Sequence, residues 1–143
     1  MNSTSLGREA LAAMLRKAEE KLAAGRNDWD QGFYGDAASR AYYAVYHAIC
    51  AVLAERELSF TSHGQTLGAF NREFVQSGLF PPDTFRKIQR LFEDRQLGDY
   101  DWERSLDRDE AEADLNDARR IITACRNYLE AKTGRSFPTE SSQ

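Results

Sequence analysis

Cysteine, histidine and proline are scarce in this 143-residue chain, which holds two, two and three of them. Cys50 and Cys125 form no CxxC pair and no zinc-ligand spacing, which excludes a disulfide framework and a zinc module and fits a reducing compartment. His47 and Cys50 stand three apart, but His63 and Cys125 are the only further soft ligands, so neither a metal nor a cofactor is expected. Both thiols read as small core residues of helices. The first ten residues, MNSTSLGREA, have no basic segment followed by an apolar one, so the expected location is the cytoplasm. The longest apolar stretch, Ala41 to Ala54, is interrupted by His47 and is too short to span a bilayer. There is no alternating strand pattern, internal repeat or glycine-rich phosphate loop. The net charge is −4, which argues against nonspecific coating of nucleic acid but leaves room for a local basic site.

Helical periodicity fills what remains. Leu11, Leu15, Ala18 and Leu22 recur at steps of four, three and four, predicting an amphipathic helix over Leu6–Ala24, capped by the NSTS hydroxyls and stopped by Gly25. Residues 26–36 read as a connection. A second helix, Asp36–Arg56, is apolar nearly all round: Ala37, Ala41, Ala44, Ala48 and Ala51 form a small-residue seam, and Tyr42, Tyr46, Ile49 and Leu53 a bulky one. Such a helix lies at the centre of a bundle or between subunits. Thr61 and Ser62 offer caps for a third helix, His63–Gln76, with Leu67, Phe70 and Phe74 inward. Pro82 opens a fourth that ends at Gly98, with Phe85, Ile88 and Phe92 inward. The fifth, Arg108–Lys132, repeats Ala111, Leu115, Ala118, Ile122, Cys125 and Leu129 without a miss, behind a capping box of Asp107 and Glu110. The expected fold is all-α, a single bundle of about five helices over residues 1–132 with a flexible tail over 133–143.

Two constellations could carry chemistry. Arg40 and His47 are seven residues apart on the second helix, on nearly one face but roughly 10.5 Å apart along its axis. Either each satisfies a buried partner, a carboxylate from another helix for Arg40, or the two line a polar slot that takes a phosphate. In EDRQLGDYDW, residues 93–102, the inward stripe Phe85, Ile88, Phe92 continues to Arg95 and Asp99, so a charged pair occupies positions that the pattern assigns to a buried face. One reading is an intrahelical ion pair worth a few tenths of a kcal/mol if exposed. The other makes Arg95 an anion binder with Asp99 and Tyr100 beside it, and Tyr100 and Trp102 also suit packing or partner contact.

RAYYAVYHAICAVL at residues 40–53, SHG at 62–64 and RQLGDY at 95–100, in that order and spacing, resemble the small prokaryotic HEPN-domain proteins over roughly residues 8–130. That resemblance implies a HEPN-like helical bundle, a homodimer, and a partner of the MNT nucleotidyltransferase type in a toxin–antitoxin-like system. Many such proteins are metal-independent endoribonucleases. Their motif is an arginine followed after four to six residues by a histidine, paired across the dimer, so that the histidine moves a proton while the arginine holds the phosphorane charge. Arg95 matches the arginine; Asp99 and Tyr100 stand where the histidine would, and a tyrosine just past it is the adenylylation target in some relatives. Arg40 and His47 satisfy the same spacing but belong to the core pattern of the second helix. The expected function is therefore binding of nucleotide or RNA phosphate near Arg95, together with a nucleotidyltransferase or a second copy of the chain. The alternatives are an active metal-independent ribonuclease, using Arg95 with Asp99 or Arg40 with His47, and an interaction bundle with no nucleotide site.

Overall fold

Leu11, Leu15, Ala18 and Leu22 are all buried, as their spacing requires, on α1 (Ser3–Asp30). The computed structural model describes residues 3–137, with side chains from residue 7 onward, so the N-cap expected of NSTS lies in part outside the described residues. Gly25 does not stop α1. A Cβ there would stand 3.0 Å from a Leu115 methyl and 3.3 Å from both the Ala37 carbonyl oxygen and Arg40 Cβ, so the glycine admits two neighbours rather than ending a helix. The residues expected to form a connection extend α1 to Asp30, because Trp29 is anchored outside it. Its indole donates to the Arg108 carbonyl at 2.9 Å and lies 4.8 Å beneath the Arg108 guanidinium. The reversal that follows is short and uses Gly32 at φ 86°.

α2 (Tyr34–Glu55) is the centre of the bundle, packed against α1, α4 and α5. Ala37, Ala41, Ala44, Ala48 and Ala51 are fully buried, as are Tyr42 and Ile49, while Tyr46 is only partly covered. The alanine seam is thus covered within one chain, which puts α2 at the centre of the bundle, while Tyr46 of the bulky seam stays partly open. Cys125 is buried as expected, but Cys50 is only half-buried.

α3 (His63–Phe70) is capped by Ser62, whose hydroxyl accepts from the Gln65 amide at 3.1 Å; Thr61 stays exposed. The expected continuation to Gln76 is a widened π turn over Asn71–Val75, which keeps Phe70 and Phe74 stacked at 5.4 Å and both against Phe80. α4 (Thr84–Tyr100) starts after the proline pair and runs through Gly98. There the reason is backbone contact: a Cβ on Gly98 would be 2.5 Å from the Gly35 carbonyl oxygen and 2.9 Å from Gly35 Cα. Two glycines therefore let α2 and α4 touch main chain to main chain.

α5 (Arg108–Thr133) carries the capping box in full, with the Asp107 carboxylate accepting from the Glu110 amide and the Glu110 carboxylate from the Asp107 amide. Arg90 ties it to α4 through Asp114 and Asp117, and Gly134 ends it in the left-handed conformation at φ 68°. The following segment, expected to be loose, folds back as far as it is described: Phe137 is buried and its amide donates to Glu130 at 2.6 Å. No described helix is long and apolar enough to cross a membrane.

Candidate functional site

The inward stripe of α4 brings Arg95 against α2, where only 16% of its side chain is exposed. A buried guanidinium needs acceptors or π faces in exchange for water. Arg95 has both. Its Nη2 donates to the Tyr43 hydroxyl at 2.7 Å, and its carbon centre lies 5.2 to 5.9 Å from the ring centroids of Tyr43, Tyr42, Phe92 and Tyr100. Asp99 Oδ2 approaches Nε to 3.4 Å but out of line for a hydrogen bond, and accepts weakly from Ser39 at 3.4 Å. Nε is buried and has no hydrogen-bond partner among the described residues.

A histidine belongs to the same cluster, and it comes from α3. The His63 ring stacks on Tyr46 at 4.1 Å, packs edge-on against Tyr43, and sets Nδ1 2.8 Å from the Tyr42 hydroxyl. Tyr42 and Tyr43 therefore carry the imidazole as well as the guanidinium. Burial pushes the His63 pKa below its ordinary 6.5, and the Arg95 charge pushes it further the same way, so the ring is neutral at pH 7. Burial also raises the Tyr42 pKa, keeping that hydroxyl protonated.

The sequence-predicted residues separate into two places. Arg95, Asp99 and Tyr100 come together at the end of α4. Arg40 and His47 look toward α1: Arg40 donates to Asp28 at 2.8 Å, the interhelical carboxylate that one reading required, and His47 lies near Lys17 and Lys21. Burial first and those lysines second lower the His47 pKa. Sequence reasoning missed His63, because a histidine 32 positions before an arginine has no fixed distance from it until α3 folds onto α2. The one signal was its place in SHG at the start of a helix.

Beside Arg95 runs an open groove of about 720 Å³, lined by Phe92, Gln96, Leu97, Tyr100 and Trp102 and by two carboxylates, Glu93 and Asp101. Tyr100 is 69% exposed and Trp102 96%. Exposed aromatics at the mouth of a polar cluster are unusual for side chains of that size.

An all-α bundle built around one buried helix, with an arginine of the fourth helix held in aromatic rings, defines a class rather than a protein. The family is settled by comparison: the HEPN domain model matches residues 11–128, and the chain belongs to that family. A relative in Methanocaldococcus jannaschii, named "Putative toxin MJ0142", is 30% identical over 85% of this chain and 83% of its own length. A second, the "UPF0332 protein" of Thermotoga maritima, is 42% identical over 45% of this chain and 48% of its own length. Among solved structures, TT1696 from Thermus thermophilus superposes with a TM-score of 0.69 at 19% identity, covering 89% of this chain and 98% of the other, and establishes the shared fold.

Proposed function

We propose that this HEPN protein is a toxin-like nucleic-acid-binding module that takes an RNA or nucleotide phosphate at Arg95 and works with a second copy of itself and an MNT-type nucleotidyltransferase. The family match and the relative with a toxin name support the toxin-like part. The observation that carries the phosphate is the Arg95 guanidinium itself: fixed by Tyr43 and four ring faces, yet with a buried Nε–H that no described acceptor satisfies. A phosphate oxygen supplies that acceptor when it takes the place of the Asp99 carboxylate, which lies 3.4 Å from Nε. Tyr100 and Trp102, exposed along the adjoining groove, supply π faces on which unpaired bases stack. Tyr100 is also accessible to a nucleotidyltransferase.

The test is fluorescence anisotropy with a short single-stranded RNA. Arg95→Ala removes binding while the fold persists. Asp99→Asn strengthens it several-fold, because the carboxylate in the wild type competes with the phosphate for Nε. Binding by Arg95→Ala equal to wild type would refute the site. Copurification of a small nucleotidyltransferase encoded beside this gene tests the partner.

The second reading, that the chain itself cleaves RNA, gains support from the neutral imidazole in the Arg95 cluster. Asp99 is a weak candidate for proton transfer, being held between Arg95 and Ser39. Arg40 is engaged by Asp28. Cleavage that persists in EDTA and disappears in Arg95→Ala supports this reading; its absence from wild type leaves the binding function.

A further inference from the structure

The fourth helix has no histidine, but the tertiary fold sets His63 on the same two tyrosines that hold Arg95. We propose that His63 is the second half of this anion site: one phosphodiester group binds between the Arg95 guanidinium and His63 Nε2, and its binding favours the protonated imidazole. The inference rests on the reading that the Arg95 site accepts phosphate, and it adds the residue and the proton linkage that complete it.

Each side of His63 is accounted for. Nδ1 faces the Tyr42 hydroxyl, the ring lies on Tyr46, and Nε2 has no hydrogen-bond partner among the described residues. The groups around it from α2 are Tyr42, Tyr43 and Tyr46, and from α4 Arg95 with Asp99 paired to it. The cation in this set, Arg95, repels a proton on His63, while the carboxylate of Asp99 is drawn to Arg95 and to Ser39. A bound phosphate reverses that balance. It neutralises the guanidinium and accepts from Nε2–H, so both of the anion's effects favour imidazolium. Tyr42 makes the change possible without rearrangement. A tyrosine hydroxyl both donates and accepts, so by rotating it donates to Nδ1 of the neutral ring and accepts from Nδ1–H of the charged one. The proton comes from solvent, on average at most about half a proton per phosphate for a one-unit rise in the histidine pKa, and no covalent bond is made or broken.

The experiment uses the full chain and a deoxydinucleotide. Its diester carries one charge that does not titrate near neutrality, and it lacks the 2′-hydroxyl needed for cleavage. NMR titration of the histidine rings, with His47→Asn telling the two apart, reads the His63 pKa directly. The expected result is a value below 6.5 in the free protein that rises by about one unit when the dinucleotide saturates the site, with affinity falling about tenfold from about pH 5.5 to 8.5. His63→Gln, which keeps a partner for Tyr42 but cannot charge, binds about tenfold more weakly than wild type at about pH 5.5 and without pH dependence. A His63 pKa that does not move on binding, in a protein whose binding is still lost in Arg95→Ala, overturns the role of His63 and leaves the phosphate site standing. No binding by wild type at any pH overturns the site itself.

Discussion

Gly98→Ala is the most informative single change in this molecule, because propensity and packing pull it in opposite directions. Alanine is better than glycine inside a helix by about 1 kcal/mol. Against that, the new methyl would lie 2.5 Å from the Gly35 carbonyl oxygen and 2.9 Å from its Cα, both main-chain atoms that no rotamer change can move. Overpacking of a tight contact costs about 1–3 kcal/mol, and a contact of backbone on backbone belongs at or above the upper end. The net expectation is a loss of about 2 kcal/mol, read as a fall in Tm of roughly 6–10 °C for a domain of this size. Gly68→Ala is the control. It lies in α3 with nothing within 4 Å of its hypothetical Cβ, so the same substitution stabilises by roughly 0.5–1 kcal/mol. Thermal unfolding followed by circular dichroism measures both. Because Gly98 sets the approach of α4 to α2, Gly98→Ala also moves Arg95 away from Tyr43 and weakens RNA binding. A Gly98→Ala protein as stable as wild type would mean that the two helices do not touch at these glycines, and the placement of Arg95 would fall with them.

Three further outcomes are open to measurement. Ala48→Leu, at a fully buried point of the α2 seam, costs about 1–3 kcal/mol in urea unfolding, and an unchanged midpoint would contradict the central position of α2. Asp114 is fully buried beside Asp94, and burial first and that neighbour second raise its pKa from 3.8 to about 9, against the pull of Arg90. The folded state then holds this proton more tightly than the unfolded chain, so the stability it contributes is complete below about pH 4 and is lost as pH rises toward 9. Asp114→Asn flattens the decline between about pH 5 and 8, and a slope unchanged by the substitution would refute that assignment. Light scattering at micromolar concentration gives twice the 16.3 kDa chain mass; a monomer for wild type would remove the dimer from the proposed function.

The sequence by itself determined that the chain is a bundle of five helices, the buried stripes of α1 and α5, the alanine seam of α2, and the resemblance to the family; it did not place the ends of α1 and α3, and Leu67, Phe85 and Phe92, read as inward, are only partly buried. A 3.6-residue period is a local property, so Leu11 to Leu22, the alanine seam of α2 and the Ala111 to Leu129 stripe of α5 could be read without knowing what they pack against. The capping box at Asp107 and Glu110 was legible for the same reason, since its hydrogen bonds span three residues. The glycines were misread as stops at Gly25 and Gly98, because a glycine that ends a helix and one that admits a neighbouring backbone look alike in a string and differ only in what lies opposite. The candidate site divides along the same line. Arg95 and Asp99 stood out because a charged pair interrupts an apolar stripe on one helix, which is again a local pattern. His63 did not, because its distance from Arg95 is fixed by α3 closing on α2 and α4 lying against Gly35. Those are contacts between residues far apart in the chain, and only the tertiary packing decides them.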